Sequence, residues 1–299
     1  MHRAIALWLT ERSWRAAVVI PICSLLALLM PLPLMSLAGA IPVLVALRME
    51  AQTGFTIAAG GALMVGVVVF FAGELTTATV LGIAIAFFGP VALALLLKRT
   101  GSLNLCFQVA VLGAAALLVA IHVAVPDPVA VWTKFLNELL APMLAAGLKI
   151  EGDQDAFIQT WARAMWGVFA GIALTVVFGA LLLGRWWYSL LESPGAFGSE
   201  YRRLRIGLTL GVAVTALFVI ALATDSPLVS SLAWVAIIAL AFQGLAAAHR
   251  SRAGGRLSRG WLAAIYVLLV VPLSTWVTVF VLAIWGFADN WLRPRSLSA

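Results

Sequence analysis

Apolar runs follow one another from Trp14 to Trp291, separated by short polar punctuation. A hydrocarbon core about 30 Å thick is crossed by helical runs of about 20 apolar residues. Such spans are predicted at 55–73, 77–97, 104–124, 157–184, 206–224 and 227–248. The first apolar block, 16–47, is interrupted by Met30-Pro31-Leu32-Pro33. Two prolines in three residues remove two backbone donors and disfavour helix before each, which predicts a broken pair, 16–30 and 34–48. The last block, 261–288, is interrupted at Pro272. Residues 4–13, with Trp8 and the following Trp14, predict a short interfacial helix with Arg12 and Arg15 at head-group level.

Residues 129–149 follow another rule. Val131, Trp132, Phe135, Leu136, Leu139, Leu140, Met143 and Leu144 recur at helical spacing, with Lys134, Asn137 and Glu138 off that stripe. This predicts an amphipathic helix lying in the membrane interface, kinked at Pro142. The whole pattern predicts an all-α, polytopic transmembrane helix bundle of about eight to ten membrane segments. Residues 1–299 read as a single integral membrane domain, and the first segment reads as a retained signal anchor.

Composition agrees: 64% of residues are hydrophobic and only 10% charged. The net charge of +7 points to orientation rather than to nucleic acid. Cytoplasmic loops of membrane proteins are enriched in Lys and Arg. With the N-terminus inside, the N-terminal tail and the stretches 48–54, 98–103, 185–205 and 249–260 hold fourteen of the nineteen basic residues. The stretches 185–205 and 249–260 are thus predicted as basic cytoplasmic loops. Glu74, Asp127, Glu138, Glu151, Asp153, Asp155 and Asp225 fall outside, placing 129–149 on the periplasmic side. One long span over 261–288 would put the C-terminus outside; a division at Pro272 would return it inside. Charge favours the second arrangement, with a partly re-entrant final block.

Candidate chemistry is sparse. No span carries Asp, Glu or Lys at its middle, which argues against a carboxylate proton relay or a charged pore. Cys23 and Cys106 sit inside apolar runs and form no metal-binding pattern. His122 is expected at an interface. No phosphate loop, HExxH or nucleophile elbow occurs, so the chain reads as non-enzymatic, without metal or cofactor. Gln243 is expected to make an interhelical hydrogen bond. Glu74 and Asp225 mark tight turns at the outer face; the functional alternative has them rim a pocket selecting a cationic or polar solute. With Pro31, Pro33 and Gln243 they make up the candidate ligand-binding set. Asp289 and Arg293, four apart, are expected to pair on a helix as a local anchor or partner-docking point. Gly167-xxx-Gly171, Gly207-xxx-Gly211, Gly60-Gly61 and Gly66 are expected at close helix contacts, within the chain or in a homo-oligomer.

The stretch Pro31-Leu32-Pro33, then Ile41-Pro42-Val43-Leu44-Val45-Ala46-Leu47-Arg48 and Gly54, resembles the YybS-like family of bacterial membrane proteins. So does the closing Gly286-x-x-Asp289-x-x-x-Arg293. The resemblance implies a multi-pass protein of the bacterial inner membrane, in a family defined by a domain of unknown function. It is also reminiscent of the substrate-binding subunits of energy-coupling-factor transporters, though this chain has more spans and no vitamin-binding motif. Two functions follow as expectations: a small-solute binding or transport subunit, with the ligand unspecified, or a scaffold protein of envelope biogenesis that contacts other membrane proteins. The lipid bilayer is a partner in either.

Overall fold

The structure is a computed structural model that describes residues 2–26, 31–147 and 152–292. Among the described residues it is all-helical, with thirteen helices: α1 (His2–Glu11), α2 (Ser13–Leu26), α3 (Pro31–Arg48), α4 (Ala51–Phe71), α5 (Thr77–Thr100), α6 (Leu103–Ala124), α7 (Pro128–Ala145), α8 (Gln154–Glu192), α9 (Ala196–Tyr201), α10 (Leu208–Ala223), α11 (Pro227–Ala253), α12 (Arg259–Val270) and α13 (Pro272–Leu292). Six of them, α4, α5, α6, α8, α11 and α13, are long and apolar enough to cross a membrane. Four shorter apolar helices lie within α2, α3, α10 and α12. The chain is a polytopic helix bundle.

The helix ends follow local chemistry. α5 begins with a reciprocal cap: the Thr76 hydroxyl accepts from the Thr79 N–H at 3.2 Å, and the Thr79 hydroxyl accepts from the Thr76 N–H at 2.7 Å. It ends at Gly101, whose φ of 65° suits a residue without a Cβ. α7 is opened by Asp127, which accepts from the N–H groups of Val129 and Ala130, and by Pro128 at the first helical position. α3 starts at Pro31 itself, so both prolines of the interruption lie in its first turn, where their missing N–H groups are not needed. The helix therefore starts about one turn before the expected residue 34.

Two boundaries differ more. α8 runs without a break from Gln154 to Glu192, so Arg185 and the following aromatic residues are helical rather than part of a loop. Nothing in that stretch opposes a helix until Ser193-Pro194-Gly195. At 1.5 Å per residue the helix is about 58 Å long. α11 likewise continues through Arg250 and Arg252, leaving only a short connection before α12.

The chain divides into two compact units. Unit 1 comprises 1–110 and 172–204; unit 2 comprises 111–171 and 205–299. In unit 1, every residue from Ala38 to Leu47 is buried, making α3 its central rod. Helix association in lipid gains little from the hydrophobic effect, so it relies on close contact through small residues. Accordingly Gly39 faces Ala180 and Gly184 faces Val43, and a Cβ on either would collide with its neighbour. On α4, Gly61 lies against Phe87 and Ile20, whereas Gly60 and Gly66 meet nothing within 4 Å and so make no close helix contact within the described chain.

Unit 2 is organised around α11 and α13, which run parallel. Trp234 packs edge-on against Trp276, and Gly244 lies on Leu282 one helix segment further along. A Cβ on Gly244 would overlap the Leu282 carbonyl oxygen, and one on Gly286 that of Leu240. Gly167 makes the same close approach to the Ser231 backbone, and Gly171 to Ile238. On α7, Trp132 packs on Trp166 and Phe169, and the Trp166 indole donates to the Pro128 carbonyl at 2.8 Å.

Candidate functional site

The only strongly polar interior described in unit 2 lies where α10 begins and α11 and α13 end. Gln243 is 0% exposed. Its side-chain carbonyl accepts from the Ile206 N–H at 2.8 Å, just before α10. Its amide donates to Asp289 Oδ2 at 3.2 Å. Arg250, two turns beyond Gln243 on the same face of α11, ion-pairs with Asp289 Oδ1. Asn290 donates to the Gly207 carbonyl at 3.2 Å, and the Arg205 guanidinium donates to the Asn290 carbonyl at 2.8 Å. Gly207 sits at φ 90°, and a Cβ on Gly211 would strike the Asn290 amide; the Gly207-xxx-Gly211 spacing makes room for this side chain.

The Asp289 carboxylate is well compensated. The carboxylate has a cation on one oxygen and an amide donor on the other, and each donor would be costly to bury alone. The cluster interlocks three helices. It also fixes the course of the last block: Asp289 returns to the end of unit 2 that carries Arg250, so α12 and α13 form two limbs joined at Val271-Pro272.

Unit 1 has its own polar end. The Lys98 ammonium donates to the carbonyls of Ala46 and Met49 at 3.2 and 2.8 Å, closing the carboxyl end of α3. Arg48 faces Glu192 at 3.4 Å and hydrogen-bonds the Thr10 hydroxyl. Arg185 is buried beside Glu200, with Nε to Oε2 at 3.1 Å, and its guanidinium lies 5.4 Å from the Tyr188 ring centre. At this same end a cleft of about 380 Å³ opens between α2 and α4. Trp14, Glu50, Gln52, Thr53, Thr56 and Ile57 line it.

The candidate residues scatter over these features. Pro31 and Pro33 open α3. Glu74 is exposed in the α4–α5 turn, where its carbonyl, not its carboxylate, accepts from Thr76 and Thr79. Asp225 is 97% exposed and faces Arg163 at 3.8 Å, a solvated pair worth little. Gln243 and Asp289 are brought together. Arg293 lies outside the described residues; among the described residues Asp289 ion-pairs with Arg250. Sequence reasoning passed over Arg250, Arg205, Asn290, Glu50 and Trp14 as site residues. One signal was available: Arg250 follows Gln243 by seven residues, one helical face.

The fold thus defines a helical, multi-pass membrane protein. No family profile, curated protein or solved structure matches the chain.

Proposed function

We propose that this chain is a bacterial inner-membrane protein, allied to the YybS-like family, that binds a small solute as a transporter substrate-binding-like subunit. One observation carries the reading. The cleft between α2 and α4 combines an aromatic wall, a carboxylate, an amide and two hydroxyls in a space of about 380 Å³. Ligand sites are typically concavities of about 300–1,000 Å³ with a few convergent polar groups on an apolar lining. The cations Arg48, Lys98 and Arg99 lie at the cleft's end of unit 1, and Glu74 at the other end of α4. By the positive-inside rule the cleft then faces the cytoplasm, as do the N-terminus and the end of α13.

Native mass spectrometry of the protein, gently extracted from its own membrane, tests this. A retained small molecule that is lost on Trp14→Ala supports the proposal. A bare chain, or one carrying only other envelope proteins, removes it. A scaffold reading is favoured by the hydrogen-bonded polar cluster and glycine-mediated crossings of unit 2, which are features of packing rather than of a ligand pocket.

A further inference from the structure

We infer that the solute class of the α2–α4 cleft is an organic cation with a compact apolar body, such as a quaternary ammonium compound; this rests on the solute-binding reading above. The cleft has a definite origin. Further along, α2 and α4 close upon each other where Ile20 meets Gly61, a glycine that lets the helices touch. Toward Trp14 the indole, Thr53 and Thr56 line an open space instead. The result is a space with an apolar floor at Ile57 and polar groups around its rim.

Charge decides what fits there. Glu50 is the only lining residue that ionises at neutral pH. It is exposed, and it forms no ion pair among the described residues. It occupies the N-cap position of α4 without using its side chain as a cap, so the carboxylate is free for a ligand. The N-terminus of α4 opposes a cation with roughly half an elementary charge. The full negative charge of Glu50 exceeds it. No Arg or Lys lines the cleft; of the cations at this end, Lys98 donates to two carbonyls, Arg48 faces Glu192 and Arg15 is paired with Glu11.

Trp14 supplies the second determinant. An indole face attracts a cation within about 6 Å of its centre, more strongly when water is displaced. The Arg15 guanidinium already lies 5.2 Å from the Trp8 ring centre and 6.0 Å from that of Trp14. Carboxylate, indole and short aliphatic floor together match a positively charged head with methyl groups. An anion would meet Glu50, and a neutral solute would forgo both charge-dependent contacts.

The test uses the full chain in nanodiscs and three probes of equal size: choline, its uncharged isostere 3,3-dimethylbutan-1-ol, and the anion isethionate. Binding is followed by saturation-transfer NMR of the ligand protons. Choline should bind at least tenfold more tightly than either companion, and Glu50→Gln and Trp14→Leu should each weaken it about tenfold. Glu50 is exposed, so a thermal melt of Glu50→Gln should match the parent and exclude misfolding. Equal binding of choline and the alcohol, unchanged by Glu50→Gln, overturns the cation assignment while leaving a solute site. Preference for isethionate overturns it in favour of an anion. No choline binding also overturns it, and the mass spectrum of the extracted protein then decides separately whether the solute-binding reading survives.

Discussion

Removing the Asp289 carboxylate should be among the most damaging single changes in unit 2. The side chain is 10% exposed and that of Arg250 29%. Asp289→Ala strips the acceptor from the Gln243 amide, which is fully buried and has no water to turn to. An unsatisfied buried donor costs about 1–3 kcal/mol. It also leaves Arg250 without its counter-charge, and breaking a buried pair costs about 3–5 kcal/mol. Arg250 keeps part of its hydration, and both losses pass through one carboxylate, so they do not add in full. About 3 kcal/mol of destabilisation is expected. Asp289→Asn keeps an acceptor for Gln243 and should cost about half as much. The combination Arg250→Met with Asp289→Asn removes both charges and should recover to within about 1 kcal/mol of the parent, because a charge pair replaced as a whole forfeits little. Reversible unfolding in mixed detergent micelles, followed by circular dichroism, measures all four proteins. If Asp289→Ala unfolds with the parent, or the double variant is no better than Asp289→Ala, the interlock does not hold the helices as described.

Two further outcomes are expected. Gly244→Ala should destabilise by about 1–3 kcal/mol, since its Cβ meets a backbone oxygen that moves only if α11 and α13 separate; Gly60→Ala, with nothing within 4 Å, should be neutral or gain up to about 1 kcal/mol in helix propensity, and the same unfolding assay compares them. In a background lacking Cys23 and Cys106, cysteines introduced at Glu74 and Asp225 should react with an impermeant maleimide in intact cells, whereas one at Gly255 should react only after the membrane is opened; labelling at Gly255 in intact cells would reverse the orientation argued from charge.

The helices were legible where two local signals coincide. α4, α5 and α6 combine apolar runs of spanning length with polar or glycine punctuation at their ends, and expectation and structure agree to within a few residues. α8 was misjudged because the two signals part company. Arg185-Trp186-Trp187-Tyr188 marks a change of solvent, not a change of backbone, and the helix continues to the first residues that oppose it, Ser193-Pro194-Gly195. The polar cluster was half legible. Gln243 and Asp289 stand out as polar residues in apolar surroundings, but their juxtaposition is tertiary. An i,i+4 rule looks along one helix, whereas the contact of Asp289 with Arg250 joins residues 39 apart on α11 and α13. The cleft left no local trace, because Trp14 and Glu50 belong to separate helices and acquire a shared role only when α2 packs on α4.

The division of α8 between the units has a consequence for how the chain is made. Unit 1 is interrupted in sequence by the whole stretch 111–171, which belongs to unit 2. At about 5–20 residues per second, synthesis of those roughly 60 residues takes about 3–12 s. Throughout that interval the small-residue face of α3 that later receives Gly179 and Gly184 has no partner from α8. The nascent protein must therefore wait in the bilayer with its central rod half covered. A stall or a ribosome released between residues 110 and 172 would deliver a chain whose first unit is unfinished, a natural substrate for membrane proteases and insertion chaperones.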